Sequence, residues 1–194
     1  MVTRFLGRIV IAELFLIGSL LAGEKIYSDS VKSLYADASS AKAIGRLLPT
    51  NAVTVVQKSG ERIKIAIRGY QNPDVKNVIY YSDSQRVIAA AFSKTANIET
   101  RLLEKGKGGK WDKVEVSVYT EEGGFGGGLE AMFEKAGQIY NENCSICHAL
   151  PEPSHSKANQ WPSLLQSMLS RTAIDKKDEW LVIQYLQKHS EDVK

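Results

Sequence analysis

"ERIKIAIRGY", residues 61–70, alternates Ile63, Ile65 and Ile67 with Arg62, Lys64, Ala66 and Arg68. Successive side chains of a strand point to opposite faces, so this period of two predicts a strand with one buried face. "WDKVEVSVY" at 111–119 repeats the pattern through Val114, Val116 and Val118, and shorter strand candidates lie at AVTVVQ (52–57), VIYY (78–81) and RVIAAAF (86–92). SG at 59–60 and NPD at 72–74 supply turns between the first of them. Several short strands with turn signals between them predict a small antiparallel barrel over residues 45–120.

The 194 residues, 43% of them hydrophobic, suffice for one large domain or two small ones. A net charge of +3 gives no ground for nucleic-acid binding, but it is unevenly spread. Residues 45–120 hold 13 Lys/Arg against 7 Asp/Glu, whereas from 126 onward the ratio is 7 to 9. Such asymmetry can steer a charged partner or reflect two differently solvated surfaces. EKGKGGK at 104–110 reads as a mobile basic loop, and the polar 25–44 stretch as a linker.

At the N-terminus, Arg4 and Arg8 precede an apolar run from Ile9 to Leu21, broken only by Glu13, and then the small residues Ala22 and Gly23. That is the layout of a secretory signal over residues 1–24. The run is short against the ~20 apolar residues of a membrane span. Residues 1–24 are therefore a signal peptide or, if uncleaved, an N-terminal anchor, and membrane association depends on that retention.

GGFGGG at 123–128 packs little, so 121–128 is expected to be a flexible link. Beyond it the periodicity turns helical: Leu129, Met132, Phe133, Ala136, Ile139 and Tyr140 recur at three and four. WPSLLQSML places Pro162 in the first turn of a second helix, and Asp175 is a candidate cap for a final one through EWLVIQYLQK. Three helices in so short a segment need a staple.

CSICH, Cys144 to His148, offers one. A C-x-x-C-H motif is the signature of covalent haem attachment: the two thiols, Cys144 and Cys147, add to the porphyrin vinyl groups and His148 turns its imidazole to the iron. A thioredoxin-like pair would open a helix after a strand, whereas Cys144 follows a helical pattern. A structural zinc site would need two more good ligands, and a plain disulfide leaves the flanking helices unexplained. Among further donors, His155 lies seven residues beyond His148, Met168 sits on an apolar helix face, and His189 falls at a helix end where a positive charge suits the dipole. Trp161 can donate to a haem propionate or simply pack.

AGQIYNENCSICH and DEWLVIQYLQK resemble the first and last helices of class I c-type cytochromes. That resemblance implies a helix crossing at Ala136, Gly137, Tyr140, Tyr185 and Leu186, and a methionine ligand shortly before the last helix, a role Met168 matches, with His155 as the alternative. The implied fold is α+β and multidomain, a small SH3-like barrel followed by an all-α class I-like monohaem domain at 129–194. Over a longer span, GRLLPTNAVTVV, the isoleucine strand, VIYY, KWDKVEVSVY, EKAGQIYNENCSICHALPEPSH and ANQWPSLLQSM together resemble the C-terminal half of the membrane pentahaem cytochromes serving trimethylamine-N-oxide reductases.

The family resemblance implies one haem c and a periplasmic carrier, free or held at the inner membrane, that passes electrons to a molybdenum N-oxide/S-oxide reductase. Members carry four further haems in an N-terminal membrane domain, yet no cysteine precedes Cys144 here, so the upstream donor is open. No nucleophile, general base or open metal site stands out, and no catalysis is expected. A general periplasmic carrier and a haem-based sensor are the alternatives.

Overall fold

A computed structural model describes residues 24–126, 128–146 and 149–193. The secretory stretch up to Gly23, together with Cys147 and His148, lies outside the described residues. The elements are β1 (Lys25–Ile26), β2 (Lys32–Leu34), β3 (Gly45–Leu47), β4 (Val53–Ser59), β5 (Arg62–Gln71), β6 (Val78–Tyr80), β7 (Ile88–Phe92), β8 (Thr100–Glu104), β9 (Asp112–Glu121), α1 (Leu129–Cys144), α2 (Trp161–Met168) and α3 (Glu179–Lys188).

The isoleucine strand is the hub. β5 pairs antiparallel with β9 along its length, from Arg62↔Glu121 to Gln71↔Asp112, and on its other edge with β4 and then β6. Pairing continues through β7 and β3 to β2, while β8 adds to β9 and β1 to β4. Tyr35 and Tyr119 exchange backbone hydrogen bonds of 2.8 and 3.0 Å, which tie the end of β2 to β9 and curl the sheet. Inside the curl lie Ile63, Ile65, Ile67, Val114, Val116 and Val118, packed with Leu34, Leu47, Ile79 and Phe92. At Gly69 a Cβ would collide with the Tyr80 carbonyl oxygen and lie 2.6 Å from Ile79 Cγ2, so the β5–β6 approach requires glycine.

This architecture corrects the expected fold class. A small SH3-like barrel followed by an all-α class I-like cytochrome domain is not what forms; the described residues are predominantly β, nine strands in one half-barrel sheet, with three short α-helices. The 25–44 segment contributes β1 and β2, including the fully buried Leu34. The reason is that helical periodicity identifies an apolar stripe without saying what covers it. Here α1 and α3 cross with Gly137 against the Tyr185 ring, and the Met132–Ala136–Leu181 cluster they form also takes in Tyr27 from the β portion.

The polar face of α3 is held by the sheet as well. Asn51 Nδ2 donates to Gln184 Oε1 at 3.1 Å, and Gln184 Nε2 donates to the Ile88 carbonyl at 3.1 Å. Lys188 Nζ donates to Thr50 O, Thr50 Oγ1 and Asn51 Oδ1 at 2.8, 3.0 and 3.1 Å, and lies 4.3 Å from the Tyr81 ring centre. Thr50 adopts φ +60°, a left-handed conformation costly for a β-branched residue, and its oxygens serve this joint.

Two segments expected to be mobile are pinned. Lys105 and Lys110 of the basic loop pair with Asp112 and Asp83, each at 2.6 Å. At the glycine link, Gly126 N–H donates to Tyr27 O at 3.0 Å and Lys32 Nζ to Gly123 O at 2.6 Å.

Candidate functional site

Cys144 is the last residue of α1, whose final turn is fixed from two directions. Asn143 donates through Nδ2 to Ile139 O at 2.9 Å and accepts from Ala173 N–H through Oδ1 at 3.0 Å, which ties the helix end to the chain beyond α2. The next segment is clamped by aromatics: Tyr140 Oη donates to Pro151 O at 3.0 Å, and Trp161 Nε1 donates to Pro153 O at 2.9 Å. The two rings meet edge to face, 6.2 Å apart at 84°. With its indole N–H engaged at Pro153, Trp161 serves as a wall of the site rather than as a donor into it.

These constraints form an open cavity of about 280 Å³ lined by Tyr140, Cys144, Pro151, His155, Ser156, Trp161, Leu164, Leu165 and Met168. Burial pushes the Tyr140 hydroxyl up to about 12, with Cys144, Tyr185 and Glu152 adding to the shift, so it stays a neutral donor to Pro151. α2 supplies the opposite wall. Leu165 is buried, whereas Leu164 and Met168 are 44% and 43% exposed at the rim, and Ile146 beside Cys144 is 78% exposed.

The structure therefore brings Cys144, His155 and Met168 to one cavity, while Cys147 and His148 fall outside the described residues. His189 is elsewhere, its Nδ1 2.7 Å from Tyr185 O and its ring edge-on to Phe133. Asp178, not Asp175, stands at the N-cap of α3, and it makes no side-chain cap bond. The cavity also takes in Pro151 and Ser156, which sequence reasoning did not single out; the two prolines of the PEP segment were the available signal.

A haem fits this chemistry. The walls are apolar and aromatic, a thiol stands at one side, and a thioether and an imidazole, both iron donors, stand at others. The volume lies near the lower end of the ~300–1,000 Å³ usual for small-molecule sites, and the mouth is open. A larger cleft of about 460 Å³ between Ile98 and Val118 has a polar lining without Cys, His or Met. Among the described residues no group of three or more His, Cys, Asp or Glu could hold a bare metal ion, and no helix is long and apolar enough to cross a membrane.

An apolar cavity walled by a thiol, a thioether and an imidazole at the end of a helix suits the haem of a c-type cytochrome. The chain belongs to the family described as the TorC third cytochrome c domain, whose model matches residues 21–125. Over 176 residues it is 28% identical to the cytochrome c-type protein TorC of Escherichia coli O157:H7, covering 88% of this chain and 45% of the relative. It is 27% identical over the same length to TorC of Escherichia coli K12, and 24% identical over 152 residues to the cytochrome c-type protein TorY of Haemophilus influenzae. The chain spans about half the length of the curated relatives it matches, and no solved structure matches it. The family match covers the half-barrel, which has no cysteine; both cysteines follow it.

Proposed function

We propose that the chain is a monohaem c-type cytochrome of the periplasm that carries electrons to a molybdenum reductase of N- or S-oxides such as trimethylamine N-oxide. The observation that carries this reading is the convergence of Cys144, His155 and Met168 on one apolar cavity at the end of α1. The TorC and TorY relatives support the respiratory setting. A bound haem supplies a one-electron couple with no proton or atom to be transferred.

In this reading the chain's own residues do the rest. Cys144 and Cys147 would hold a haem through thioether bonds, and His148 would supply an iron-binding nitrogen. Met168 would supply the second iron ligand, with His155 the competing donor. Tyr140, Trp161 and Leu165 keep water from the inner side, which limits reorganisation when the charge changes. Leu164, Met168 and Ile146 leave an apolar rim through which a docked partner comes within tunnelling reach.

Stopped-flow oxidation of the reduced protein by the host's N-oxide or S-oxide reductase with its substrate tests the proposal. Bleaching of the reduced haem bands that requires both enzyme and oxide is the expected result. A haem that stays reduced while the enzyme turns over with an artificial donor would defeat the assignment and leave a general carrier or a sensor.

A further inference from the structure

The turn just before α2, residues 157–160, is gripped by three distant parts of the chain. Asn159 uses both ends of its carboxamide: Oδ1 accepts from Arg86 N–H at 2.8 Å, and Nδ2 donates to Gln85 Oε1 at 2.8 Å, both in the β6–β7 connection. Its neighbour Ala158 is fully buried, donating its N–H to Asp192 Oδ1 at 2.9 Å and accepting from Gln187 Nε2 at 2.9 Å. Within the turn, Lys157 N–H donates to Gln160 Oε1 at 2.9 Å.

α2 follows at once and is only eight residues long, with no side-chain cap at its start. A helix of two turns has little stability of its own, so its position is set by what holds its ends. Its first residue, Trp161, walls the cavity, and its last is Met168. Displacing the turn therefore displaces the far end of the helix, about 12 Å along the axis at the standard rise per residue.

We propose that Asn159 is a positioning residue through which the half-barrel fixes α2, and with it the sulfur of Met168, over the cavity. The inference rests on the haem reading given above, with Met168 as distal ligand. It assigns the cysteine-free half-barrel a task beyond spacing: its β6–β7 connection holds the distal wall of the site, so the strength of the sixth bond depends on a contact remote from the iron.

The test compares Asn159→Leu, Asn159→Asp, Gln85→Ala and Met168→Leu in the full-length haem-loaded protein. Readouts are reduction potential, spin state, carbon monoxide binding to the ferrous form, and amide exchange across α2. Asn159→Leu is expected to lower the potential, admit carbon monoxide and raise α2 exchange roughly tenfold, the scale set by one or two lost hydrogen bonds. Asn159→Asp should restore the native values, because Asp keeps the acceptor for Arg86 N–H and Gln85 can turn its amide to donate. A purely structural role predicts lower stability with potential and gas binding unchanged, which overturns the proposal.

Should Asn159→Leu fail to fold, Gln85→Ala decides by the same readouts: a smaller shift in the same direction supports the inference and no shift overturns it. If Met168→Leu moves the potential while Asn159→Leu does not, the positioning role alone falls. If Met168→Leu moves nothing, the ligand assignment falls and takes the inference with it.

Discussion

Asn51 and Gln184, 133 residues apart in sequence, meet in the buried seam between the half-barrel and α3 with their side chains hydrogen-bonded at 3.1 Å. Gln184 is fully buried, and its other polar end is committed to Ile88 O. These two bonds together make a buried glutamine acceptable there.

Replacing Gln184 with Leu keeps the bulk but strips both bonds, leaving the Ile88 carbonyl without its side-chain donor. Asn51 Nδ2 still reaches Leu48 O and Pro49 O, so the cost falls mainly on one carbonyl. A loss of about 2–3 kcal/mol is expected from urea unfolding. A change under about 0.5 kcal/mol would mean water replaces the side chain.

Lys188 ties stability to pH. Burial pushes its ammonium down to about 7, outweighing the three oxygens and the Tyr81 face that favour the charge. An unfolded lysine titrates near ~10.4, so between the two values the unfolded chain holds one more proton and stability rises with pH. Below the folded value both states are charged and the folded one bears the burial penalty. Unfolding free energies from urea titrations between about pH 6.5 and 9.5 should climb in the wild type, by up to ~1.4 kcal/mol per pH unit, relative to Lys188→Met. Parallel curves would show that the ammonium stays solvated.

Gly69→Ala sets a methyl group against the Tyr80 carbonyl and Ile79. The β5–β6 pair must part, at a cost of about 1–3 kcal/mol. Because β6 leads into the connection that holds Asn159, the haem spectrum should shift in the same direction as in Asn159→Leu. A stable Gly69→Ala protein would show that the strands can shift freely.

Met168→Leu is expected to give a high-spin ferric spectrum, a lower potential and carbon monoxide binding, while His155→Gln leaves all three unchanged. The opposite pattern would make His155 the distal ligand. Cys144→Ala should leave a haem more readily extracted by acidic solvent, measured against the wild type.

The sequence made β5 and β9 legible, because three isoleucines and three valines each keep a strict alternation. β1, β2 and β3 were not, since two or three residues carry no period. The fold-class error came from α3. Its apolar residues read as the face of a helical domain, whereas Gln184, Gln187 and Lys188, polar residues with no periodic signal, meet partners 29 to 138 residues away. The site divides the same way. The thiol motif and Met168 stand out by chemical type, whereas Asn159 is an ordinary loop residue until its two bonds to Gln85 and Arg86 are seen.

The seam also says where this chain cannot be divided. Recombination at the glycines 123–128 would look harmless by composition, yet it would part Gln184 from Asn51 and Lys188 from Thr50. Each fragment would be left with polar groups whose partners lie on the other, so a graft of residues 129–194 onto a foreign protein would have to bring the half-barrel with it. The two portions are thereby joined by hydrogen bonds as well as by the glycine tether.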